Sequence, residues 1–132
     1  MSLFDWLLVG HLVGDWLVQT EPMALAKVKD RHVRFWHAMI WSFCVWLSMI
    51  GWATLTPHLS RATMFPAAPE GIGVALFLFL GHYWLDSRVP VLWWRKHISL
   101  AAKADEPQWV VFVHDQVWHV LQLVVVTLVL AR

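Results

Sequence analysis

His82 and Asp86 stand four residues apart in the apolar run Gly73–Leu92. The surrounding pattern, Gly81-His82-Tyr83-Trp84-Leu85-Asp86, repeats Gly10-His11-Leu12-Val13-Gly14-Asp15 of the first apolar run. A third run carries the pair reversed, as Asp115-Gln116-Val117-Trp118-His119. An i,i+4 spacing sets both side chains on one helix face. Neutral imidazole and carboxylate suit zinc, iron and manganese, and helix bundles build such centres from inward-facing pairs of this spacing. With His37 near the start of the second run, the candidate metal ligands are His11, Asp15, His37, His82, Asp86, Asp115 and His119. The expected cofactor is a divalent transition metal (Zn, Fe or Mn). It would lower the pKa of bound water, with Asp15 or Asp115 as the candidate catalytic general base. A metal-free reading stands beside this one. In it, His and Asp hydrogen-bond across helices, each contact contributing roughly 1 kcal/mol or less in a membrane.

The elements that must carry these residues are apolar. At 132 residues the chain reads as a single domain. It is 59% hydrophobic and 14% charged, with a mean hydropathy of +0.56, too apolar for a soluble globule in which about a quarter of residues are charged. A soluble, tryptophan-rich ligand-binding protein is the alternative this composition disfavours. Four apolar runs, about 3–19, 33–55, 72–94 and 108–131, each approach the roughly 20 residues that cross a hydrocarbon core. In lipid the backbone must bond to itself, so the runs are expected to be helices. The predicted fold is all-α: a polytopic membrane protein, a four-transmembrane-helix bundle made of two related helical hairpins. Of eleven tryptophans, Trp6, Trp16, Trp36, Trp52, Trp84, Trp93, Trp94 and Trp109 fall near run ends, as interfacial aromatic belts do. Trp41, Trp46 and Trp118 lie deeper and are expected to pack on cofactors, lipids or partner helices.

Charge sets the expected orientation. The connection Thr20–Arg34 carries Lys27, Lys29, Arg31 and Arg34 and reads as a short interfacial segment. Ser87–Pro107 carries Arg88, Arg95, Lys96 and Lys103, whereas Thr56–Glu70 holds Pro57, Pro66 and Pro69 with Arg61 its one basic residue. The positive-inside rule places connections 20–34 and 87–107 in the cytoplasm and both termini opposite. All seven candidate ligands then fall in the cytoplasmic half of the bilayer, where ionisable groups are costly unless they meet one another or a metal. Net charge of +1 argues against nucleic acid as a partner. Cys44, the single cysteine, excludes an intrachain disulfide and any CxxC motif. The N-terminus lacks a basic n-region, so the first run is expected to be a retained helix. Gln19, Gln116 and Gln122 are read as orienting or interhelical hydrogen-bonding groups, and Cys44 and Ser48 as packing residues. His32, His58 and His97 read as solvated, His114 as turned away from Asp115, and Arg88 as reaching to the interface.

The His-x-x-x-Asp-x-x-x-Gln element His11–Gln19, His37, the Gly81–Asp86 motif and the Asp-Gln-x-x-His element Asp115–His119 together resemble the domain-of-unknown-function family numbered 3307, small membrane proteins of bacteria and phages. The resemblance spans nearly the whole chain and implies a helical membrane protein, here of a bacterial inner membrane, without implying an activity. From the residues, the first expectation is a metal-dependent membrane hydrolase of a lipid or lipid-linked substrate. The alternatives are an accessory subunit of a larger membrane complex and a proton or metal transporter. Transport is disfavoured by the almost wholly apolar stretches 71–81 and 123–130.

Overall fold

Ser2 starts the first helix through a capping box. Asp5 N–H donates to Ser2 Oγ at 3.2 Å, and Ser2 N–H donates to the Asp5 carboxylate at 2.6 Å. The computed structural model describes residues 1–56, 68–99 and 107–130, and all its regular elements there are helical. They are α1 (Leu3–Leu12), a π-helical turn (Val13–Leu17), α2 (Glu21–Ala26), α3 (Arg31–Leu55), α4 (Ala68–Leu85), α5 (Val89–His97) and α6 (Gln108–Leu130). Residues 57–67 of the proline-punctuated connection, with His58 and Arg61, and Lys103 in the next connection lie outside the described residues, while Pro69 falls in the first turn of α4.

Two expected helices are interrupted. The helix read over 3–19 changes pitch at Val13, and Val18 N–H reaches back five residues to the Val13 carbonyl at 3.0 Å. Such π-turns are rare and gather at functional sites, and this one carries Asp15. The helix read over 72–94 is two helices. It stops at Leu85, turns through Arg88 at a left-handed φ of 58°, and restarts at Val89. Pro90 has no N–H to continue the ladder, and Ser87 Oγ takes over the turn. It donates to Trp84 O at 2.6 Å and accepts from Val89 N–H at 3.2 Å. In the first basic connection, Thr20 and Pro22 open the short α2. Asp30 then caps α3, accepting N–H bonds from His32 at 2.8 Å and Val33 at 3.3 Å.

α1, α3, α4 and α6 pack in a ring, α1 touching α3 and α6, and α4 touching α3 and α6. Two glycines make the contact of α1 with α3 possible. A Cβ on Gly10 would lie 2.8 Å from the backbone of Val45, and one on Gly14 would lie 2.9 Å from the Trp41 ring, so α1 can approach α3 only without side chains there. The interior is layered. At one end, Leu3, Leu7, Val45, Trp52, Leu78, Leu123, Val126 and Leu130 form an apolar core, which takes in Trp52 although a belt position was expected for it. At the other end the buried polar residues include His11, Asp15, Lys27, Arg34, His37, His82, Asp86, Asp115 and His119. The outside carries exposed Trp16, Trp36, Phe43, Trp46, Leu80 and Leu128. Among the described residues two helices, Arg31–Leu55 and Trp109–Leu130, are long and apolar enough to cross a membrane.

Candidate metal centre

The ring helices and the π-turn that continues α1 bring their polar residues to the same end of the bundle. The π-turn brings Asp15, α3 brings His37, the end of α4 brings His82 with Asp86 just beyond it, and α6 brings His119. The potential ligand atoms of Asp15, His37 and His82 lie within 4.8 Å of one another, and so do those of His82, Asp86 and His119. His82 belongs to both groups and joins them. These buried His/Asp groups could hold a metal ion.

The convergence is tight at His37 Nε2. It lies 2.8 Å from Asp15 Oδ1, 3.1 Å from His82 Nε2 and 3.2 Å from Asp86 Oδ2. An imidazole nitrogen offers one proton or one lone pair, so it cannot satisfy these neighbours together. His82 Nε2 is likewise 3.2 Å from Asp86 Oδ2 and 3.6 Å from Asp15 Oδ1. Acceptors crowd around one region, which calls for positive charge among them.

His119 is prepared as a ligand. Its Nδ1–H donates to the backbone carbonyl of Asp115 at 2.8 Å, which fixes the tautomer and leaves the Nε2 lone pair facing Asp86 Oδ1 at 3.7 Å. That Nε2 is buried without a hydrogen-bond partner. A metal-binding histidine almost always donates its other N–H in this way.

His11 and Asp115 are not in either group. The Trp41 indole N–H donates to His11 Nδ1 at 2.9 Å, so the Nε2–H of His11 is left to donate to Gln116 Oε1 at 3.2 Å. Both ring nitrogens are thereby engaged, and His11 instead stacks beside His119, ring centroids 5.7 Å apart. His11 still approaches Asp15 on their shared helix face, Nδ1 to Oδ2 at 3.7 Å, but its ring nitrogens are taken by Trp41 and Gln116, which corrects the expected ligand set. Asp115 approaches His119 Nδ1 only at 4.0 Å, and its buried Oδ1 has no hydrogen-bond partner. Of the two candidate bases, Asp15 sits among the potential ligands and Asp115 beside them.

The secondary assignments resolve individually. Gln122 Nε2 donates to the carbonyls of Phe77 and Leu78 at 2.8 and 2.9 Å, where Gly81 leaves it room, so it ties α6 to α4. Gln116 bridges His11 and, at 3.5 Å, the Trp16 indole N–H. Beside Gln116 an apolar groove opens to the outside, lined by Trp16, Phe112, Val113, Val117 and Leu121. His114 and Gln19 are half-buried and outside the groups, and Cys44 is a free thiol.

One participant has no intrahelical signal in the sequence. Lys27, in the turn after α2, places its ammonium 2.9 Å from Asp86 Oδ1, 3.0 Å from His37 Nε2 and 3.4 Å from Asp15 Oδ1. Sequence reading set it among the basic residues of a short amphipathic or interfacial connection. The one cue was that Lys27 directly follows the apolar stretch Met23–Ala26, which is how a short helix lying on a bundle can aim a long side chain inward.

The model of a protein family described as "Protein of unknown function (DUF3307)" matches residues 3–132. No curated protein and no solved structure matches the chain.

Proposed function

The chain belongs to the DUF3307 family, whose function is unknown, and from its own geometry we propose that it is a membrane-embedded, metal-dependent hydrolase of a lipid or lipid-linked substrate. The observation that carries this reading is the meeting of three imidazoles and two carboxylates, from the ring helices and the π-turn, in one buried region. In this reading α1, α3, α4 and α6 cross the bilayer, with connections 20–34 and 87–107 on the cytoplasmic side of a bacterial inner membrane. Two helices of sufficient length and hydropathy, and an exterior rich in large apolar side chains around a polar interior, support it.

Asp15, His37, His82, Asp86 and His119 would hold the ion (Zn, Fe or Mn), and their donor atoms suit it. Charge also favours a divalent cation. Among the described residues, and with neutral imidazoles, the ammonium facing both Asp15 and Asp86 is that of Lys27, which offsets one of their two negative charges. Bound there, the ion supplies Lewis acidity and lowers the pKa of water. Asp115, buried beside the ligands with a free carboxylate oxygen, is the general base. The apolar groove at Trp16 and Phe112 meets the centre through Gln116 and His11, and it gives an acyl chain a place to lie.

A second reading is favoured by Lys27. Its ammonium already supplies a cation, and a metal-free ion-pair network would suit an accessory subunit of a membrane complex. Transport is the weaker reading, because the packed apolar core from Leu3 to Leu130 offers no polar route beyond the centre among the described residues.

Elemental analysis of the chain purified in detergent decides between these readings. The metal reading expects a transition metal held by the wild type and lost from His82→Ala, with Asp115→Asn keeping the metal but losing release of head group from lipid micelles. Wild-type protein that takes up no transition metal on reconstitution sinks it in favour of the ion-pair network.

A further inference from the structure

The connection between the first two long helices reaches into the centre at one point. α2 buries none of its own residues, and Leu25 on it is 74% exposed. Lys27 is the exception in the segment from Thr20 to Asp30, with its side chain 11% exposed and its ammonium against Asp15, His37 and Asp86. The segment's other ties are weaker: Met23, Ala24 and Ala26 are half-buried where α2 meets α3, and Arg34 Nη1 donates to the Val28 carbonyl at 3.1 Å.

We propose that Lys27 is a built-in competitor for the divalent cation, and that the segment carrying it is a latch which the cation releases. The inference rests on the metal reading above and adds a moving part to it. A metal bonds a carboxylate oxygen at roughly 2.0–2.2 Å. The oxygens it needs are those the ammonium faces, Asp86 Oδ1 at 2.9 Å and Asp15 Oδ1 at 3.4 Å. Two positive charges cannot share that buried space, where little solvent screens their repulsion. Lysine can leave, because its ammonium is a point charge on a flexible four-carbon stem and is readily hydrated. Once Lys27 withdraws, α2 has no buried side chain of its own to hold it against the bundle. Loading the centre thus frees the surface beside it, the face a head group would have to approach.

The test is titration of the full-length protein in nanodiscs with Zn²⁺ alone, combined with hydrogen–deuterium exchange of the peptides covering residues 20–30. In the wild type, Zn²⁺ is expected to raise exchange in residues 20–30 several-fold while leaving residues 41–52 unchanged. Lys27→Met, which keeps length and apolar volume without charge, is expected to bind Zn²⁺ about tenfold tighter and to show high exchange in 20–30 before metal is added. The wild-type arm needs no variant to fold. If Zn²⁺ binds but exchange in 20–30 stays level or falls, the latch is wrong and the metal reading stands. If Lys27→Met binds Zn²⁺ more weakly than wild type, Lys27 supports the centre and the competition is overturned. If neither protein binds Zn²⁺, the metal reading falls and displacement falls with it.

Discussion

The imidazole of His82 lies flat on the indole of Trp41, ring centroids 3.9 Å apart and planes 7° apart. The same indole donates its N–H to His11. One α3 residue therefore positions both histidines of the repeated Gly-His-x-x-x-Asp motif, and assigns them different tasks. His82 keeps Nε2 directed at the carboxylates, while His11 spends its Nδ1 lone pair on Trp41.

Trp41→Phe keeps an aromatic face under His82 but leaves buried His11 Nδ1 without its donor. An unsatisfied buried acceptor costs about 1–3 kcal/mol. Reversible unfolding in detergent should show that loss, and Trp41→Ala a larger one of about 3–5 kcal/mol as the cavity adds to it. Wild-type stability in Trp41→Phe would contradict the assigned hydrogen bond.

Metal content should follow membership of the two ligand groups rather than membership of the sequence motif. His82→Ala, which touches both groups, is expected to lose bound metal altogether. His119→Ala should weaken binding, and His11→Ala should leave the stoichiometry intact while lowering stability. Equal metal loss from His11→Ala and His82→Ala, read by elemental analysis, would return His11 to the ligand set.

Gly10→Ala and Gly73→Ala form a matched pair. At Gly10 a Cβ meets the Val45 backbone at 2.8 Å, so α1 must move from α3 and carry Asp15 with it, whereas at Gly73 a Cβ meets nothing within 4 Å. The first change is expected to destabilise by about 1–3 kcal/mol through overpacking. The second should be neutral or stabilising by up to about 1 kcal/mol from helix propensity. Thermal melts of the two variants check the ordering.

Asp30 gives a pH dependence outside the helices of the ring. The backbone N–H groups of His32 and then Val33 bond its carboxylate and hold its pKa below the ordinary carboxylate value. The group is less easily protonated folded than unfolded. Its contribution is therefore present above the unfolded pKa, about 3.9, and is lost as pH falls through the lower folded value. Asp30→Asn keeps a cap without the titration. Melts between pH 2 and 6 should show the wild type losing its advantage over this variant in acid, and parallel curves would remove the assignment.

The repeated His/Asp pairs were legible because an i,i+4 spacing fixes a helix face whatever the helix packs against. The layer of polar residues at one end of the interior was legible too, since alternating run directions place 11–15, 37, 82–86 and 115–119 at one level. Helix interruptions were not. The π-turn lies where Gly14 meets Trp41 of α3, a tertiary contact no local pattern reports, and the break at Arg88 sits on a serine turn ahead of Pro90.

By itself the sequence determined four apolar runs and the residues with ligand chemistry that each presents, because hydrophobic periodicity and spacing are local properties of a helix. Tertiary structure decided which of those residues share a centre. It engaged both ring nitrogens of His11, set Asp115 beside the ligands, and brought Lys27 from a surface connection into contact with Asp15 and Asp86. Those outcomes rest on contacts between residues 10 or more positions apart, such as Lys27–His37 and Trp41–His11, and no local spacing encodes them.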